Sequence, residues 1–264
     1  MDIGKITEKL SAHLYTGPND IWNLFLSIDK HFAIPNLILG KGTTLYRATV
    51  VKNISEINNI KRLSYVPSEY NKTYKRASTP NNTMFYGISG NSQLESILGC
   101  FSEVCDCFRK QNPKYEHYNV VIGLWETAED LVLPQIINVD GRNKSDAFDN
   151  TNEFLDSLQI TGDRSLDIIG FWRFMNTEFT KIVDSEKGYW ISAIFSEWLV
   201  KKMGKNGVIY ESVQSIDPKI RNNHCVALTP QIADRYLRFK EALHYEFDFC
   251  GDDTKIKSPI KLEL

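Results

Sequence analysis

From Leu94 to Phe108 the apolar residues fall three and four positions apart: Leu94, Ile97, Leu98, Phe101, Val104, Cys105 and Phe108. That spacing draws one apolar stripe along a helix, and the stripe must be covered by the rest of the fold. A short run, Met84–Ile88, precedes it and reads as a strand interrupted by Gly87. Gly90-Asn91-Ser92 then supplies a turn, with Ser92 as a helix N-cap. Further short runs rich in β-branched and aromatic residues predict strands at Thr43–Val51, Tyr118–Trp125, Leu131–Val139, Val208–Tyr210 and Cys225–Leu228. Helical spacing predicts helices over Ile3–Leu14, Leu166–Phe179 and Trp190–Met203, while Asp20 offers an N-cap for Ile21–Phe32. Arg235–Phe249 alternates in places, and its second half is assigned to a strand. Strands and helices do not alternate strictly, so the expected class is α+β rather than a doubly wound sheet.

Charge and cysteine usage narrow the function classes. With 31 Lys+Arg against 33 Asp+Glu in 264 residues, the chain is nearly neutral, which argues against a cationic nucleic-acid scaffold. Its apolar runs fall well short of the ~20 residues that span a bilayer. The start, MDIGKITEKLSAH, has no apolar stretch after its lysines and reads as lacking a secretory signal. Five unevenly spread cysteines (Cys100, Cys105, Cys107, Cys225, Cys250) read as reduced thiols, so a cytoplasmic location is expected. The spacing of Cys100, Cys105, Cys107 and His117 does not match a zinc site, and no metal is expected. No G-x-G-x-x-G follows a strand, and neither G-x-x-x-x-G-K-[ST] nor H-E-x-x-H occurs.

What remains is a scatter of polar residues at strand ends. Arg47 lies inside the apolar strand LYRATVV, either snorkelling from an edge or supplying a fixed cation. Arg76 sits late in a long polar loop, Ser64–Asn82, whose Tyr65–Arg76 part interleaves Lys and Tyr. Tyr86 sits in the strand MFYG, Glu95 in the first turn of the striped helix, and Ser212 just after the strand VIYE. Taken singly, these are an ordinary core aromatic, a carboxylate complementing a helix dipole and a turn serine.

Their order along the chain says more. The string LYRA, then R-A-S-x-P-N-N-x-M-F-Y-G, an acidic residue opening a helix, and finally N-G-V-I-Y-E-S-V-Q resembles the RES domain family, named for an arginine, a glutamate and a serine. The resemblance spans roughly Thr43 to Leu237. It implies an ADP-ribosyltransferase-like mixed β core with flanking helices, and an NAD+-degrading toxin usually inhibited by a cognate antitoxin. On this reading residues 1–40 form an N-terminal helical extension, 41–250 the catalytic domain and 251–264 a C-terminal tail. Arg47 and Arg76 match the family's two arginines, Tyr86 its strand aromatic, Glu95 its helix-opening glutamate and Ser212 its late serine. The interval from Tyr86 to Glu95 is shorter than the resemblance implies, which keeps Glu103 as a second candidate. Asn222-Asn223-His224 stands where a Gly-x-Asn is expected.

Cleaving the nicotinamide–ribose bond releases a neutral leaving group from a cationic substrate. The catalyst needs a carboxylate against an oxocarbenium-like ribose, expected of Glu95, and cations for the pyrophosphate, expected of Arg47 and Arg76. Tyr86 would stack on nicotinamide, and Ser212 would orient substrate without acting as a nucleophile. Transfer of ADP-ribose to a protein or nucleic acid is the alternative; nucleic acid is expected only as such an acceptor. A non-catalytic module whose Tyr65–Arg76 loop docks a partner is a third reading.

Overall fold

A computed structural model of the protein describes residues 2–29, 31–90, 92–105, 116–139, 154, 163–212, 223–250 and 253–264. Helices α1 (Ile3–Ser11) and α2 (Pro18–Leu26) lead to β1 (Asn36–Leu39) and β2 (Thr44–Val51). After the long loop come β3 (Phe85–Ser89), α3 (Gln93–Val104), β4 (Glu116–Thr127) and β5 (Leu131–Pro134). Two helices, α4 (Asp163–Thr180) and α5 (Trp190–Lys201), precede β6 (Gly207–Glu211) and β7 (His224–Leu228). The chain closes with α6 (Pro230–Tyr236), β8 (Leu237–Cys250), β9 (Asp253–Ile256) and β10 (Ile260–Leu262).

Eight strands make one sheet in the order β10-β8-β4-β2-β3-β7-β6, with β9 folded back on β8; β1 and β5 form a small second sheet. The class is α+β, as expected. Every ladder among the described residues is antiparallel, however, where a mixed core was expected; the parallel contact is an isolated bridge, Gln135↔Ile209. The reason lies in the run β3–α3–β4. It is a strand–helix–strand crossover, but β2 is inserted between its two strands and runs antiparallel to both, so no parallel pair forms. The crossover lays α3 against β2 and β3. Here the stripe is covered: Ile97, Phe101 and Cys105 are buried, while Leu94 stays exposed.

One face of the sheet carries the larger core, in which Val120, Ile122 and Phe247 meet α1 to α5. The other face packs Leu45, Phe85, Val121 and Ile209 against Ile57, Leu63 and α6. The N-terminal helices share the first core: α1 lies on α4 and α2 on α5, with Ile6, Leu10, Ile21 and Phe25 fully buried. Asp20 is not the N-cap of α2. Gly17 holds that position ahead of Pro18, and the Asp20 carboxylate, already in the first turn, accepts from Thr16 N (2.8 Å) and Thr16 Oγ1 (2.6 Å).

At the other end, residues assigned to a tail supply β9 and β10 to the sheet. Strand β8 occupies all of 237–250 because it pairs along the length of β4, and an extensive partner outweighs imperfect alternation. The predicted helix end at Phe108, Asn91, Cys107, Asn222 and nearly all of the predicted 140–163 loop lie outside the described residues. No helix among the described residues is long and apolar enough to cross a membrane.

Candidate functional site

The sheet is zipped on either side of β2 and β3 but scarcely between them. Strand β2 pairs β4 over eight residues and β3 pairs β7 over five, whereas β2 and β3 register only at Tyr46↔Ile88. Past that point the Arg47 side chain bridges the strands, Nη1 donating to Tyr86 O at 2.9 Å. A cavity of about 370 Å3 opens at this parting, a size typical of small-molecule sites. Tyr46, Arg47 and Ala48 line it from β2, Tyr86, Gly87 and Ile88 from β3, and Cys100, Glu103 and Val104 from α3. Lys75, Arg76, Tyr189, Tyr210 and Cys225 complete the wall.

Arg47 is held with its guanidinium 5.5 Å from the centre of the Phe85 ring, and its Nε is buried without a hydrogen-bond partner. Burial lowers its pKa to about 10; the guanidinium still stays charged at neutral pH. Arg76 sits in a tight turn closed by Lys75 and Ser78, whose backbones exchange two hydrogen bonds. It donates to Phe179 O and Lys181 O at the end of α4 and lies 5.4 Å over the Tyr189 ring. Those carbonyls are the negative end of the α4 dipole, so Arg76 caps a helix while facing the cavity.

Tyr86 fixes that same turn. Its hydroxyl accepts from Ala77 N (3.1 Å) and shares a hydrogen bond with Ser78 Oγ (2.7 Å), leaving its ring as part of the cavity wall. Burial pushes the phenol up to about 12, so it remains neutral. Lys75 flanks the turn as well, and no hydrogen bond or ion pair engages its ammonium among the described residues. Burial, then the charge of Arg47, lowers its pKa.

The two candidate glutamates part company. Glu103 is the carboxylate that lines the cavity among the described residues. Ser212 Oγ donates to its Oε1 at 2.7 Å, and Cys225 Sγ does so at 3.6 Å. Burial and the Glu103 charge raise the Cys225 thiol far above its ordinary value, so it stays protonated and donates. Glu95, by contrast, does not line the cavity. Its backbone N–H donates to the Ser92 cap (3.2 Å), and its carbonyl accepts from Asn223 Nδ2 (2.8 Å). Ser212 is buried behind Glu103 rather than in the wall, and its N–H donates to Asn223 O at 3.1 Å. Asn223 thus ties both ends of α3 to one corner, directly through Glu95 and through Ser212 to Glu103.

No protein-family model matches the chain, and no curated protein matches it in sequence. The site is therefore judged on its own geometry. Of the residues that the resemblance singles out, Arg47, Arg76, Tyr86 and the second candidate Glu103 line one cavity, whereas Glu95 lies outside it and Ser212 reaches Glu103 rather than the cavity. Lys75, Tyr189, Tyr210 and Cys225 went unread. Tyr210 falls inside a segment that carries the resemblance, and Lys75 directly precedes the one that opens at Arg76.

Among the described residues no group of His, Cys, Asp and Glu is arranged to hold a metal. Cys100 and Cys105 are buried with α3, and His117 instead pairs with Asp248 (2.7 Å) across β4 and β8.

Proposed function

We propose that the protein cleaves the nicotinamide–ribose bond of NAD+, using Glu103 as the carboxylate beside the reacting ribose, within an ADP-ribosyltransferase-like core. One observation carries the reading: among the described residues, three cations, one carboxylate and the rings of Tyr46, Tyr86, Tyr189 and Tyr210 line one cavity where β2 and β3 part. The pyrophosphate is the natural partner for the cations, and the positive end of the substrate for Glu103.

In the first step the bond from the anomeric carbon to the pyridinium nitrogen breaks. Its electron pair neutralises the nicotinamide, and positive charge spreads over the ribose. Glu103 opposes that charge at a fixed position, because Ser212 and Cys225 hold its Oε1 before substrate arrives. Preorganisation of this kind spares the reorganisation that a free carboxylate would need. No acid is required at the leaving group. Water then adds to the anomeric carbon and loses a proton, giving ADP-ribose; phosphate in the same place gives the phosphorylated product. Arg47 holds a phosphate, Arg76 adds its charge to the same wall from the end of α4, and Tyr86 presents its ring to nicotinamide. Ser212 is a positioning residue. The role as a toxin with a cognate antitoxin rests on the sequence resemblance.

Purified protein incubated with NAD+ should release free nicotinamide. Glu103→Gln should lower kcat by about 100-fold or more, the scale of removing one preorganised charge at a transition state. Glu95→Gln should leave the rate within about threefold, since its side chain lies off the cavity wall. Absence of nicotinamide release by a folded wild-type protein overturns the proposal, and the reverse pattern of variants returns the role to Glu95. Adenine-labelled NAD+ that leaves its label on protein or RNA would make the enzyme a transferase with the same first step.

A further inference from the structure

The three cations of the cavity are not equivalent. Arg47 spends one nitrogen on Tyr86 O and is half-buried; Arg76 spends both terminal nitrogens on the carbonyls ending α4. Lys75 is exposed as a residue yet lines the same cavity, which places it at the mouth, and among the described residues its three N–H donors are uncommitted. The charge that acts on it is that of Arg47, which repels it. Two like charges turned toward one hollow call for an anion between them, and Glu103 is engaged on the α3 side by Ser212 and Cys225.

Glu103 and Arg47 are both half-buried in the wall, whereas Lys75 is exposed at its rim. A substrate with its ribose at Glu103 brings its first phosphate to Arg47 and its second to Lys75. We propose that Lys75 is a specificity-determining residue that holds the phosphate farther from the reacting ribose, so that a dinucleotide is selected over a nicotinamide mononucleotide. This inference rests on the NAD+ reading above and adds to it the part of the substrate that is recognised at the mouth.

The test uses the full chain with NAD+ and nicotinamide mononucleotide as alternative substrates. Lys75→Gln should cut the ratio of kcat/KM for NAD+ over the mononucleotide about tenfold, with the loss in KM rather than kcat, and Lys75→Arg should recover most of it. Inorganic pyrophosphate should compete with NAD+ and should bind the Gln variant more weakly by a similar factor. An unchanged ratio, or an equal loss on both substrates, overturns the inference while the NAD+ reading stands. If wild-type protein releases nicotinamide from neither, the NAD+ reading itself has failed. Calorimetry with pyrophosphate then decides the Lys75 part: binding weakened in the Gln variant supports a phosphate-holding lysine, and equal or absent binding overturns it.

Discussion

Arg47 carries a charge into a place that penalises it. Its guanidinium has a backbone carbonyl and an aromatic ring for company, its Nε is buried without a partner, and burial lowers its pKa to about 10. A side chain retained only for stability would not be placed so, since an apolar residue of similar length avoids the desolvation cost. Arg47→Met is therefore expected to abolish nicotinamide release while holding or raising the melting temperature, by up to about 2–4 °C. Thermal unfolding followed by circular dichroism reads this. A fall of several degrees would mean that the bond to Tyr86 O holds β2 to β3, and Arg47 would become a structural residue. The arginine was legible because a charge inside LYRATVV is out of place. The glutamate was harder. Glu95 and Glu103 lie on the same helix, eight residues apart, which puts Glu103 about 12 Å further along the axis and about 80° round it. Only the packing of α3 on the parting strands decides which of the two faces the cavity.

Helix α3 keeps that orientation through contacts too close for a side chain. A Cβ on Gly99 would lie 2.6 Å from Asn223 Nδ2 and 3.3 Å from Ile88 Cγ2, so the glycine lets Asn223 lie flat against the helix. Asn223 in turn reaches Glu95 O and takes the Ser212 N–H, which sets the hydroxyl that holds Glu103. Gly99→Ala gains about 1 kcal/mol of helix propensity, but overpacking at a buried contact costs about 1–3 kcal/mol. The expected net effect is a melting temperature lower by about 2–4 °C and a reduced kcat, because displacing Asn223 moves the hydroxyl behind the carboxylate. A more stable variant with full activity would show that Asn223 swings aside freely. At this scale the sequence revealed most elements and few of their couplings. Strands such as Thr44–Val51 and helices such as Trp190–Lys201 announced themselves by period and composition. Asn223 stood out only as part of the segment Asn222-Asn223-His224, and its bond to the Glu95 carbonyl, far away in the chain, left no mark of period or composition. The short helix Pro230–Tyr236 and the edge strands β9 and β10 were missed for a related reason: each is fixed by the sheet it joins.

Across the whole molecule, the N-terminal helices show how far periodicity reaches. The spacing of Ile3, Ile6, Leu10 and Leu14 indicates a buried face but not what buries it, so residues 1–40 read as an extension. In the folded chain that face is part of the main core. Ile6 and Leu10 on α1, and Ile21 and Phe25 on α2, are fully buried, and the Phe25 ring packs tilted against Phe195 of α5 with centres 5.2 Å apart. Four such side chains contribute about 6–12 kcal/mol of burial between them. The entire stability of a natural domain is roughly 5–15 kcal/mol. Removing residues 1–28 would also uncover Phe195 and Trp198 on α5, against which Phe25 packs, leaving an apolar surface open to water. The shortened chain is therefore expected to be insoluble, or to lack a cooperative thermal transition, and to release no nicotinamide even though every cavity residue is still present. Size-exclusion chromatography and a melting curve of the truncated protein check this. A soluble, active, sharply melting fragment would make the two helices a dispensable cover, and their burial would then have to serve a partner rather than the fold.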